Sequence, residues 1–101
     1  MSAPKLLLVE DDSALSELLE YRFAGEGYEV RATPDGDEAL LLADEDTPDL
    51  VILDWMIEGT SGIEVCRRLR RNERTAHVPI NYAHGARSRG RPRPRPGDGR
   101  R

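Results

Sequence analysis

LLLVEDD at Leu6 to Asp12 and PDLVILDWM at Pro48 to Met56 are the stretches whose reading decides the fold. Leu6 to Val9 and Leu50 to Leu53 are continuous apolar runs of strand length, as expected of strands buried on both faces of a parallel sheet. Each run ends in acid: Glu10, Asp11 and Asp12 after the first, Asp54 after the second. Between them Ala14, Leu15, Leu18, Leu19 and Phe23 recur at helical spacing, which predicts an amphipathic helix capped by Ser13 and ended by Gly25 and Gly27. Tyr28 to Ala32 alternates and reads as a second strand. Asp35 and Gly36 then open a short helix through Ala39, Leu40, Leu42 and Ala43, which stops before Pro48. Gly62 to Arg71 is a third predicted helix, with Ile63, Cys66 and Leu69 as its apolar stripe. Val78 to Tyr82 begins a fourth strand, with Pro79 near its start, where a missing N–H matters least. The order βαβαβαβ implies an α/β, doubly wound parallel sheet with right-handed crossovers and helices on both faces.

A chain of 101 residues allows one domain, and 38% hydrophobic with 5% aromatic residues makes its core aliphatic. A large multi-site enzyme is excluded. No apolar run approaches the roughly 20 residues of a membrane span, and no long apolar stretch follows the opening Met1 to Lys5, so the chain is expected to be neither spanning nor exported. The lone cysteine, Cys66, forms no disulfide within the chain and, on the apolar stripe, reads as a small core residue. It favours a cytoplasmic location.

The net charge of −4 averages two opposite segments. Residues 1–80 carry 18 acids and 8 bases, whereas residues 81–101 carry 1 acid and 7 arginines. That last segment, rich in Arg, Pro and Gly, has little to offset the entropy of ordering and is expected to be disordered. The chain thus divides into a folded domain, 1–80, and a basic tail, 81–101.

In doubly wound sheets, ligands bind beyond the carboxyl ends of the strands, where the strand order reverses. If the first and third strands are adjacent, Glu10, Asp11, Asp12 and Asp54 meet there, and so many like charges require a cation. All the donors are hard oxygens, which favours Mg²⁺. The alternative is that these acids serve only as helix caps, with Asp12 or Ser13 doing no more than that.

LLLVEDD, PDLVILDWM and the following GTSGIEVCRRLR at Gly59 to Arg70 together resemble the response regulator receiver domain of two-component signalling. The likeness runs from about Lys5 to Ile80 and is greatest to receivers of the winged-helix OmpR/PhoB type. The resemblance implies the flavodoxin-like, CheY-like fold in a cytoplasmic phosphorelay that regulates transcription. It makes Asp54 the residue phosphorylated by a sensor histidine kinase, with Mg²⁺ bound directly by Asp11, through water by Glu10, and by the backbone carbonyl of Met56. Trp55 would flank the pocket, and Glu58 stands where proline is common. The implied role is a phosphoacceptor, not an enzyme beyond self-phosphorylation from a phosphodonor.

The resemblance stops near Ile80, so the receiver is expected to be incomplete, with about four strands and three helices. Ala83 and His84 stand where a Thr or Ser hydroxyl is expected, and the only lysine is Lys5, far from the place of the family's Lys-Pro. Switching should therefore be impaired. The turn into NYAHGARSRGRPRPRPGDGRR suggests a GC-rich gene read out of frame from near Ile80. Arg89 to Pro92, RGRP, also matches the core of AT-hook peptides, a weak signal for nucleic-acid binding. DNA would otherwise be reached only through an output domain that this chain lacks. A competing reading is a non-phosphorylatable fragment that binds a kinase or partner. Unpaired edges predict a homodimer or strand-exchanged oligomer. Arg67, Arg68, Arg70, Arg71 and Arg74 read as a solvated basic face, with kinase docking as the lesser alternative, and His77 and His84 as ordinary loop residues.

Overall fold

The computed structural model describes residues 3–55, 57 and 59–82. Met56, Glu58 and the expectations for Ala83, His84 and the basic tail lie outside the described residues. The chain runs β1 (Lys5–Val9), α1 (Ser13–Gly25), β2 (Glu29–Thr33), α2 (Gly36–Glu45), β3 (Leu50–Leu53), α3 (Gly62–Arg71) and β4 (Ile80–Tyr82). All pairings are parallel and the order is β2-β1-β3-β4, so β1 lies between β2 and β3. Among the described residues β4 is an edge.

Alternation along the strands divides the core in two. Leu7, Val9, Val51 and Leu53 face α2 and α3, where they pack with Ala39, Ala43, Val65, Cys66, Leu69 and Val78. Leu6, Leu8 and Ile52 face the other way, against Leu19 and Phe23 of α1. The two faces are unequally covered. No residue of α1 is buried, and its Leu18 and Tyr21 are 61% and 82% exposed, so the predicted apolar stripe of this helix is only partly used.

Four local expectations are corrected, the first being the fourth strand, which starts at Ile80, after Pro79, and not at Val78. The N-cap of α1 is Asp12, not Ser13: the Leu15 N–H donates to Asp12 Oδ1 at 3.1 Å, and Ser13 is the first helical residue. An Asp in extended backbone supplies that acceptor as well as Ser does, and the chain leaves β1 soon enough to use it. The second strand is shifted by one residue, to Glu29–Thr33, because the Glu29 N–H donates to the Pro4 carbonyl and begins the ladder there. The buried stripe of α3 is Gly62, Val65, Cys66 and Leu69, while Ile63 is 39% exposed. That rotation lets Gly62 approach the end of β3, a contact its missing side chain permits.

The exit from α3 depends on a buried hydroxyl. Thr75 is buried, and its Oγ1 donates to the Leu69 carbonyl at 2.7 Å, with the Asn72 carbonyl at 3.3 Å as a second, longer acceptor. Thr75→Val keeps the shape and removes the donor, so it should cost about 1–2 kcal/mol by chemical denaturation. A cost near zero would mean that these carbonyls find water.

Candidate functional site: an acidic pocket at the strand ends

β1 and β3 end side by side, with Val9 in register with Leu53. The ladder continues one step further. Asp54 N–H donates to the Val9 carbonyl at 2.9 Å, and Glu10 N–H donates to the Thr33 carbonyl at 3.0 Å. These bonds fix the backbones of both acids, so Glu10, Asp11 and Asp54 each place a carboxylate oxygen within 4.8 Å of the others. Glu10 and Asp54 are 2% and 3% exposed, and Asp11 opens to solvent. Glu10 Oε2 also accepts from the Asp12 N–H at 3.0 Å, which turns the chain into α1. Asp12 is therefore drawn off as a cap, and the structure brings three of the four sequence-predicted acids together. Met56 lies outside the described residues.

The donor set suits a small hard cation. Octahedral Mg²⁺ with oxygens at about 2.0–2.1 Å places its ligands about 3–4.2 Å apart. A cluster within 4.8 Å therefore accommodates direct bonds from two oxygens and a water-bridged third. A groove of about 340 Å³, lined in part by Glu10, Asp11, Ser16, Glu17 and Thr33, reaches two of the three acids from the α1 side.

Trp55 directly follows Asp54, and its ring meets Tyr82 of β4 edge to face at 5.1 Å. Tyr82 Oη lies 3.5 Å from Cys66 Sγ, so the buried thiol is enclosed and lies away from the acids' opening. The chain's lysine is at the opposite end of the sheet. Lys5 starts β1, and its ammonium pairs with Asp46 at 3.3 Å.

The arginines of α3 largely satisfy their own helix and its exit. Glu64 accepts from Arg67 at 2.8 Å and Arg68 at 3.0 Å, with Arg71 at 3.8 Å, and Arg70 donates to the Ala76 and Val78 carbonyls. The Arg68 hydrogen bond, helped by the charges of Arg67, Arg68 and Arg71 against a smaller opposing desolvation, holds the Glu64 carboxyl below its ordinary value. A depressed carboxyl stabilises the fold above its unfolded pKa, and that contribution is lost as pH falls through the folded value. Arg68→Gln should therefore raise the Glu64 titration midpoint measured by NMR, and an unmoved midpoint would show that the pair is not formed in solution. His77 is an exposed loop residue.

Two features of the site are missing from the sequence reading. Thr33 is buried beside Glu10, accepts from the Asp35 N–H at 3.1 Å and donates to Glu38 Oε1 at 2.5 Å. Thr60 Oγ1 donates to Asp37 Oδ1, joining the loop after β3 to the start of α2. The signal for Thr33 is its place before Pro34-Asp35-Gly36, a turn signature. No local pattern announces Thr60, because its partner is 23 residues away.

The response regulator receiver domain family matches residues 6–89. The phosphate regulon transcriptional regulatory protein PhoB of Rhizobium meliloti is 53% identical over 77 residues, covering 76% of this chain and 34% of that protein. PhoB of Pseudomonas aeruginosa is 38% identical over 80 residues, covering 79% of this chain and 35% of its own length. The chain thus spans about a third of the length of these curated relatives. Among solved structures, the receiver domain of the sensor histidine kinase PA1611 from Pseudomonas aeruginosa PAO1 superposes with a TM-score of 0.76 at 27% identity, covering 80% of this chain and 66% of that one. That structure has a magnesium ion coordinated in its active-site cleft. Four parallel strands, acids gathered at the ends of β1 and β3, and the extent of these matches lead to one conclusion: the chain belongs to the response regulator receiver domain family of two-component signalling, with regulators of the PhoB type among its relatives.

Proposed function

We propose that this chain is a phosphoacceptor module that takes a phosphoryl group from a sensor histidine kinase onto Asp54, in a cytoplasmic phosphorelay with a transcriptional output. The observation that carries this reading is the convergence of Glu10, Asp11 and Asp54 within 4.8 Å at the carboxyl ends of adjacent strands. In the transfer, an Asp54 carboxylate oxygen forms a bond to phosphorus while the bond from phosphorus to the donor nitrogen breaks, and the departing imidazole keeps that electron pair and takes a proton. The transition state is loose, so the protein's task is to aim the oxygen and neutralise charge. Asp54 is aimed by its backbone bond to Val9 and by its burial. Asp11, Glu10 through water, Asp54 itself and the Met56 backbone carbonyl would hold Mg²⁺, which supplies Lewis-acid neutralisation of the phosphoryl oxygens.

Switching is a separate matter. The one lysine is engaged at the far end of β1 and lies away from the phosphate position. Phosphorylation shifts a conformational equilibrium only through a group that binds phosphate differently in its two states, and Lys5 is not such a group. Phosphate uptake with weak switching is the expected behaviour.

The test is incubation with a small phosphodonor and Mg²⁺, followed by intact-mass analysis and mapping of the adduct. A labile acyl phosphate on wild type that is absent from Asp54→Ala supports the reading. No uptake by folded wild type would favour the alternative, a fragment that binds a kinase or partner without being phosphorylated.

A further inference from the structure

The loop between Asp54 and α3 is closed at one end by the Gly62 N–H, which donates to the Trp55 carbonyl at 3.2 Å. Its outer end is held by another part of the chain. Thr60 Oγ1 donates to Asp37 Oδ1, the backbone of Gly36 lies so close to the Thr60 carbonyl that a Cβ there would collide with it, and the Asp35 carboxylate packs against Gly59. Gly59 has φ 75°, so the loop turns at a residue suited to left-handed backbone just where α2 meets it. Asp35 in turn accepts from the Asp37 N–H at 3.0 Å, and its own N–H donates to Thr33 Oγ1. Thr33 closes the circuit, because its carbonyl accepts from the Glu10 N–H. A continuous set of bonds and contacts therefore passes from one wall of the acidic pocket, through the start of α2, to the loop that follows Asp54.

From this arrangement we infer that Thr60 and Asp37 are positioning residues for phosphoryl transfer: their hydrogen bond latches the Asp54 loop to the start of α2 and keeps the pocket in its reactive geometry. The inference rests on the phosphoacceptor reading of Asp54. Thr60 lies after β3 and Asp37 on α2, so the latch joins two separate parts of the chain. The contact is exposed, and one exposed hydrogen bond contributes little to global stability. Transfer is more sensitive than stability to such a change, because small displacements of a reacting group lower rates steeply.

The variants are Thr60→Val, Thr60→Ser, Asp37→Ala and Asp37→Asn in the full chain, assayed for phosphate uptake at saturating Mg²⁺ and for amide exchange at residues 59–61. Thr60→Val and Asp37→Ala should each slow uptake about tenfold, with melting temperatures close to wild type. Thr60→Ser, which retains the hydroxyl, and Asp37→Asn, which retains an acceptor oxygen, should recover most of the rate. Asp37→Asn slowed as much as Asp37→Ala would overturn the latch in favour of a charge effect. Wild-type rates in Thr60→Val would overturn it outright, as would a rate loss accompanied by a matching loss of global stability. If wild type takes up no phosphate, the phosphoacceptor reading fails and the positioning role falls with it. Exchange then shows separately whether the contact holds the loop: faster exchange at 59–61 in Thr60→Val means that it does, and unchanged exchange removes the latch as well.

Discussion

Gly62→Ala should destabilise the fold by about 2–3 kcal/mol, a large share of the roughly 5–15 kcal/mol available to a small domain. Gly62 opens α3, and a Cβ built on it would lie 2.6 Å from both the Asp54 carbonyl oxygen and the Trp55 Cα. Both obstacles are backbone, so neither can swing aside as a flexible side chain would. One option is for α3 to move outward, which would pull Val65, Cys66 and Leu69 away from the sheet. The other is for the end of β3 to shift and take Asp54 with it. One effect opposes this cost: alanine has less backbone freedom than glycine to lose from the unfolded chain, which favours the helical state by about 0.4–1 kcal/mol. Overpacking should win because a backbone clash cannot be relieved without loss of core contact. Gly25→Ala provides the contrast. Gly25 is the last residue of α1, and a Cβ added to it would meet nothing within 4 Å, so the same substitution should there be neutral or stabilising. Urea denaturation of both variants reads the difference in sign, and a Gly62→Ala protein as stable as wild type would mean that α3 does not meet β3 as described. Phosphate uptake by any folded Gly62→Ala protein should fall as well, since the displaced atoms include the Asp54 backbone.

That same contact explains why some elements are legible in the sequence and others are not. β3 and α3 can be read with the bounds the structure gives them, because Leu50 to Leu53 is a short apolar run ending in acid and Gly62 to Arg71 is a periodic segment. The rotation of α3 cannot. Stripes through Ile63 or through Val65 both include Cys66 and Leu69, and only the close approach of Gly62 to β3 chooses between them. Asp12 and Ser13 are both competent caps, and the choice falls to Asp12 where the chain turns past Glu10. The pocket acids are legible because each follows an apolar run directly, so strand adjacency alone brings them together. Asp37 and Thr60 have no such signal. Their partners are defined by how α2 lies against the loop after β3, and a residue pattern along one element carries no record of that.

Asp11→Asn should lose its stability advantage as Mg²⁺ is added. In the metal-free protein three carboxylates lie within 4.8 Å, and two unit charges about 5 Å apart repel by about 1 kcal/mol in water and about 3 kcal/mol at an effective dielectric of 20. Asp11 is exposed, so the lower figure is the appropriate one, and neutralising it should leave the metal-free variant at least as stable as wild type. Metal offsets that advantage. An ion that binds only the native state adds RT ln(1 + [Mg²⁺]/Kd), which for a Kd of about 1 mM and about 10 mM Mg²⁺ is about 1.4 kcal/mol. Loss of a direct carboxylate ligand should weaken binding by at least the roughly 10–100-fold typical of disturbing a ligand's supporting partner, leaving the variant almost no gain at that concentration. Phosphate uptake should fall with it by about 10²–10³-fold, the usual cost of removing one preorganised source of charge neutralisation from a transfer step. Glu10→Gln should follow the same course more weakly if its link to the metal is through water. Calorimetry of wild type and Asp11→Asn over a Mg²⁺ series reads the difference in stabilisation directly. Melting temperatures that stay constant in both proteins, or rise equally in both, would remove Asp11 from the metal site, whatever became of Asp54.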